Sequence, residues 1–174
     1  KPSTIPYMVA LDNGDPSNEV EYRDELFELD APFAGNGNTI FKSINRLSGI
    51  IWGNNTSAVA IDYWIKNRNE KTYLFNPSDT NQKPRIIYDR NYQDRYSDPG
   101  FFITKRNNFN KSVLKIDSNK LILMGDGYSD NGQFPFVDRL NLDNLTTERI
   151  YESNYTDKLE NLVDYDVNKK QLLV

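Results

Sequence analysis

Short runs of β-branched and aromatic residues, several alternating apolar with polar, recur along the whole chain. In the first half they predict strands at Pro6–Leu11, Glu25–Leu29, Thr39–Ile44, Ser57–Ile65, Lys71–Phe75 and Arg85–Tyr88. In the second half they predict strands at Phe101–Thr104, Ser112–Ile116, Lys120–Met124, Phe136–Leu142, Glu148–Tyr151 and Asn161–Tyr165. Leu121 and Leu123 point opposite to Ile122 and Met124, so this run is apolar on both faces and suits a strand covered on both sides.

Turn chemistry punctuates the runs. Asp12-Asn13-Gly14-Asp15-Pro16, Gly35-Asn36-Gly37-Asn38, Gly53-Asn54-Asn55, Asn76-Pro77-Ser78-Asp79 and Gly125-Asp126-Gly127 supply residues that tolerate positive φ, or a proline of preset φ. Val20, Tyr22, Leu26 and Phe27 hint at a helical period over Glu19–Glu28, but alternation from Leu26 onward competes with it. No window of a dozen residues carries a capped 3.6-residue period, and an all-β fold is expected.

A faint repeat refines that expectation. Tyr73-Leu74-Phe75-Asn76-Pro77 followed by Arg85-Ile86-Ile87-Tyr88 resembles Arg139-Leu140-Asn141-Leu142-Asp143 followed by Arg149-Ile150-Tyr151. The offsets are 140 − 74 = 66 and 149 − 85 = 64, and a third strand pair, Gly49-Ile50-Ile51 and Gly100-Phe101-Phe102, is offset by 100 − 49 = 51. Spacings of roughly 50 to 65 residues fit four-stranded propeller blades with variable loops, while two similar hairpins in a β-sandwich fit the repeat equally well. On the propeller reading the chain holds about three antiparallel blades at residues 1–48, 49–99 and 100–160, with 161–174 starting the next. Three blades are too few to close a ring. The opening Lys1-Pro2 and the strand-like close at Gln171–Val174 agree with a section of a longer chain, an incomplete β-propeller.

Composition narrows the chemistry. The 174 residues include 11 Tyr, 9 Phe and 2 Trp, enough aromatic area for a core despite a mean hydropathy of −0.73. A net charge of −4 and a pI near 4.9 argue against nucleic acid as a partner, and no 18-residue apolar run predicts a membrane span. There is neither His nor Cys. That removes thiol nucleophiles, imidazole bases, disulfides and thiolate or imidazole metal sites, and no metal or cofactor is expected. The chain as given is expected not to be an enzyme.

Several words of the sequence resemble the glutamyl endopeptidase branch of the prolyl oligopeptidase family of serine peptidases. They are Ala10 to Pro16, Asp30-Ala31-Pro32-Phe33, Gly49-Ile50, Trp52-Gly53, Tyr88-Asp89-Arg90, Asp94-Arg95-Tyr96-Ser97-Asp98-Pro99-Gly100, Leu123 to Ser129 and Gly132 followed by Pro135 to Leu142. The resemblance covers nearly the whole chain and implies a parent built from an N-terminal β-propeller and a C-terminal α/β-hydrolase domain. This chain would be a propeller section controlling peptide access to the absent hydrolase domain. The family's Gly-x-Ser-x-Gly elbow has no counterpart, because Gly127-Tyr128-Ser129-Asp130-Asn131 lacks the second glycine, so no catalytic residue carries over.

The densest polar word, Asp94 to Gly100, has two readings. One places Arg90, Arg95, Tyr96 and Asp98 against the substrate, a guanidinium fork being suited to an acidic side chain. The other is a turn in which Asp98 accepts backbone N–H groups, Pro99 fixes φ and Gly100 adopts a conformation other residues resist. Phe101-Phe102 is expected to pack between blades. Gly125 to Gly132 fails the EF-hand spacing, since Val137 stands where the bidentate Glu belongs. The expected partners are the hydrolase domain, a peptide substrate and further copies of the chain through open blade edges. The competing class is a free-standing β-rich module for carbohydrate or protein, using aromatics such as Tyr7 and Tyr63-Trp64.

Overall fold

The computed structural model describes residues 3–166 and 169–174. Its regular structure is entirely β: the described residues contain no helix. The chain divides into two compact units, Lys1–Asn91 and Tyr92–Val174.

The first unit holds two antiparallel sheets. Strands β1 (Thr4–Ala10), β2 (Asp24–Asp30) and β3 (Asn38–Ser43) form one, in that order. Strands β4 (Arg46–Trp52), β5 (Ala58–Trp64), β6 (Asn69–Phe75) and β7 (Arg85–Asn91) form the other as a plain meander. Leu26, Ile40 and Phe41 of the first sheet pack against Ala58, Ala60, Tyr73 and Phe75 of the second. Phe41 meets Tyr73 edge-on at 5.3 Å and tilts against Phe75 at 5.0 Å, geometries favoured by the ring quadrupoles.

The second unit is built on a four-stranded antiparallel sheet of β8 (Phe101–Phe102), β11 (Lys120–Gly125), β14 (Phe136–Asn141) and β15 (Thr147–Glu152). Two hairpins interrupt its connections: β9 (Thr104–Arg106) with β10 (Ser112–Leu114), and β12 (Tyr128–Ser129) with β13 (Gly132–Gln133). A last hairpin, β16 (Asp164–Asp166) with β17 (Gln171–Leu173), lays Tyr165 and Leu172 on Ile122, Met124 and Val137. The strand predicted to be apolar on both faces is covered on both: Leu121, Ile122, Leu123 and Met124 are all buried.

The sequence repeat has a topological counterpart. β4, β5, β6 and β7 follow the same sequential antiparallel order as β8, β11, β14 and β15. In both sheets a bulge falls between the last two strands, at Thr72/Tyr73 and at Val137/Asp138. The three-stranded sheet shows it too, at Leu26/Phe27 between β2 and β3. One expectation is corrected. Phe102 is buried, but Phe101 is 60% exposed, because adjacent residues of a strand point to opposite faces.

Candidate functional site

A groove of about 740 Å³ opens in the second unit, and the polar word Asp94 to Gly100 forms one wall of it. That wall is a turn held by its own side chains. Asp94 Oδ1 accepts the Tyr96 N–H at 3.0 Å, and Asp98 Oδ1 accepts the Gly100 N–H at 2.9 Å. Gly100 sits at φ +81°, and a Cβ there would lie 2.0 Å from the Met124 carbonyl oxygen on β11. The opposite wall is built the same way. Gly127, at φ +66°, accepts the Phe134 N–H at 2.8 Å and is so close that a Cβ would fall 1.8 Å from the Phe134 oxygen.

The floor comes from β14 and β15. Phe136 presents its ring, and the Arg149 guanidinium lies over it at 3.8 Å. Asp138 and Arg149 face each other directly across the ladder. Arg149 donates Nε to Asp138 Oδ1 at 2.6 Å and a terminal nitrogen to Oδ2 at 3.3 Å, and it also bonds Glu152. Burial works against the charge on Arg149, but Asp138 and Glu152 outweigh it and hold the guanidinium above its ordinary pKa.

Of the four residues singled out from sequence, two line the groove and a third stacks on a residue that does. Tyr96, 64% exposed, and Asp98 line the groove, and Arg95 stacks on Tyr128 at 3.7 Å. Arg90 belongs to β7 of the first unit, where its Nε lies 3.3 Å from Glu70. Sequence reasoning missed the floor. Arg149 was visible only as part of the Arg-Ile repeat, and its carboxylate partners carried no signal of their own.

Ser97 and Ser129 spend their hydroxyls on the backbone oxygens of Asp94 and Gly132, at 3.4 and 3.1 Å. The chain contains no imidazole to activate a hydroxyl. Among the described residues no group of three or more His, Cys, Asp or Glu side chains is placed to hold a metal ion.

Buried charge elsewhere is structural. In the first unit Arg23 and Arg46 converge on Asp12, whose side chain has no exposed surface, and Arg46 also grips Asp24. Arg23 stacks on Trp64 at 3.7 Å. The Arg46 hydrogen bond is the main reason the Asp12 carboxyl lies below its ordinary pKa.

No family model matches the chain, and no solved structure matches it. Two curated plant proteins do. It is 31% identical over 179 residues to a protein named "Probable glutamyl endopeptidase, chloroplastic" of Arabidopsis thaliana, which covers 98% of this chain. It is 31% identical over 170 residues to the protein of the same name from Oryza sativa subsp. japonica, covering 94% of this chain. The chain spans 18% of the length of each. This nearly end-to-end likeness supports kinship with a peptidase-related family.

Proposed function

We propose that the chain is a non-catalytic section of the β-propeller of a serine peptidase similar to the glutamyl endopeptidases, within the prolyl oligopeptidase family. Its role is to restrict which peptides reach a hydrolase domain lying outside these 174 residues. The observation that carries the reading is the likeness to two proteins named as glutamyl endopeptidases along 98% and 94% of this chain, over only 18% of theirs. The repeated four-stranded meander supports it. Sheets at Arg46–Asn91 and Phe101–Glu152, each bulged between its last two strands, suit blades at about 49–99 and 100–160. A three-stranded sheet before them and the β16–β17 hairpin after them suit the flanking blades.

On this reading acyl transfer from peptide to serine to water belongs to the hydrolase domain, and the groove of the second unit contacts the peptide through Arg95, Tyr96 and Asp98. Two measurements test it. The isolated chain is expected neither to hydrolyse glutamyl peptides nor to be labelled by a fluorophosphonate, whereas the longer protein does both; labelling of a serine in this chain overturns the proposal. In the longer protein, Tyr96→Ala is expected to raise KM for an extended peptide about tenfold, at ~1.4 kcal/mol per decade, and to leave turnover of a short chromogenic substrate unchanged. Equal loss on both substrates rules out an access role for the groove.

A further inference from the structure

The β9–β10 hairpin is an addition that the four-stranded meander does not require. Residues 53–57 suffice to join β4 to β5, whereas residues 103–119 join β8 to β11 and carry the hairpin between them. Both of its strands and its turn lie well inside the chain. β9 and β10 form a sheet of their own. Ile103 and Leu114 are buried at the base, while from Thr104 to Ser112 every residue except Asn107 is exposed. The hairpin stands out from the second unit.

Its charge is of one sign. Between Phe101 and Ile116 stand Lys105, Arg106, Lys111 and Lys115 and no carboxylate, in a chain whose net charge is −4. Lys115 is taken up at the base, where it donates to the Tyr165 carbonyl oxygen at 3.1 Å. No ion pair among the described residues involves the other three. Lys105 lies opposite Val113 and Arg106 opposite Ser112, and successive side chains fall on opposite faces. Arg106 therefore takes one face, while Lys105 and Lys111 share the other as diagonal cross-strand neighbours. Two cations on one face repel each other, and anions held against that face remove the cost.

The apex is hydrogen-bonded in a way that holds an aromatic ring in solvent. Asn107 Oδ1 accepts the N–H of Phe109 at 2.9 Å and that of Lys111 at 3.0 Å. Asn107 donates its own N–H to the Lys111 oxygen, and Asn110 donates to the Asn107 oxygen, both at 2.9 Å. Asn110, at φ +58°, supplies the left-handed residue that a three-residue hairpin loop needs. Arg106 donates to the Asn110 carbonyl oxygen at 3.0 Å, which carries its charge to the apex. Phe109 sits at the tip of this loop and is 65% exposed.

We propose that the β9–β10 hairpin docks end-on to an anionic lipid surface, with Phe109 entering the headgroup region and Lys105, Arg106 and Lys111 facing the lipid phosphates. This inference stands on the hairpin alone and does not depend on the peptidase reading. The placement of the charges favours a plane over a polypeptide. An extended peptide lies along one face and leaves the cation of the other face idle. A surface met tip-first engages the cations of both faces and the ring between them. Screening over about 8 Å at physiological salt lets the local charge of the hairpin count above the net charge of the chain.

Vesicle co-sedimentation tests it. The chain is expected to bind vesicles of phosphatidylcholine containing about 30% phosphatidylserine, to ignore vesicles of phosphatidylcholine alone, and to be released as salt rises. Lys105→Gln and Lys111→Gln are each expected to lower the partition coefficient about fivefold, and Phe109→Ser on the order of tenfold. All three should keep the far-UV circular dichroism spectrum of the parent. The chain has no cysteine, so a polarity-sensitive dye attached through Phe109→Cys reports on the apex alone, and its emission is expected to move to the blue on the anionic vesicles only. No binding to anionic vesicles, equal binding to both lipids, or undiminished binding by the three well-folded variants overturns the proposal. Binding to poly-glutamate in place of vesicles also overturns it and assigns the hairpin to an acidic polypeptide.

Discussion

The carboxylate of Asp98 accepts the N–H of Gly100 at 2.9 Å and closes the turn that seats β8 against β11. Asp98 therefore shapes the wall of the groove. Gly100→Ala is expected to destabilise the protein by on the order of 3 kcal/mol or more, since both its φ of +81° and the Met124 carbonyl at 2.0 Å from a Cβ oppose the change. Asp98→Ala should cost about 1 kcal/mol or more, since it removes the bond to the Gly100 N–H. Urea unfolding measures both. A Gly100→Ala variant within about 0.5 kcal/mol of the parent, the scale of an ordinary surface change, would contradict this packing.

Arg149 organises the floor of the groove, and its planar fork matters more than its charge. Its guanidinium lies 3.8 Å over the Phe136 ring while bonding both oxygens of Asp138, which is only 8% exposed. Arg149→Ala leaves that carboxylate with little else to satisfy it, and a loss of about 1–3 kcal/mol is expected. Arg149→Lys retains a cation but cannot bond both oxygens and stack at once, so it should recover less than half of the loss. Full recovery by lysine would show that charge alone carries the interaction.

Asp62 is the acid whose ionisation works against the fold. Its side chain is buried between Asn45, whose N–H and amide donate to it at 3.2 and 3.0 Å, and Tyr73, whose hydroxyl donates at 3.1 Å. Burial outweighs these bonds and raises its pKa above the ordinary aspartate value. The folded chain therefore binds this proton more tightly than the unfolded one. The stability Asp62 contributes is fullest below the unfolded-state pKa and falls as pH rises through the raised one. Measured by urea unfolding at a series of pH values, the advantage of the parent over Asp62→Asn is expected to narrow as pH rises from the acid limb. An advantage that widens with pH would show that the carboxylate is the preferred buried form.

How far the sequence reveals this fold depends on the distance over which each feature is set. Alternation and turn residues are local, and they locate β1, β2, β3, β5, β6, β7, β11, β14 and β15 to within a few residues. β4 was visible only at Gly49-Ile50-Ile51, because its register shifts between Leu47 and Gly49 and breaks the alternation. β12 and β13 have two residues each, too few to display a period. Asp98 and Gly100 were legible as a turn because their partners are two residues apart. The Asp138–Arg149 pair was not: the bulge at Val137/Asp138 sets which residues face each other, and no local pattern announced it. Asp12 and Arg46, 34 residues apart, meet only once the sheets have packed.

The segment after β15 has no strand until β16, and a side-chain bond joins it to the sheet beside the packing of Leu162 on the core. Tyr151 on β15 donates its hydroxyl to Glu160. That bond is the main cause of a tyrosine pKa pushed up to about 12, with burial second, and of a Glu160 carboxyl held below its ordinary value. The signs follow from which form each group prefers. Glu160 contributes above the unfolded glutamate pKa and loses its contribution as pH falls through its lowered one. Tyr151 contributes below the ordinary tyrosine value and loses its contribution as pH rises toward 12. Glu160→Gln removes the anion while keeping an acceptor, so it is expected to move one tyrosine of the eleven to lower pH in an ultraviolet absorbance titration. Tyr151→Phe should delete that same high-pH component, and combining the two changes should add nothing further. If Glu160→Gln leaves the titration unaltered, the tether at Tyr151 is not what raises it.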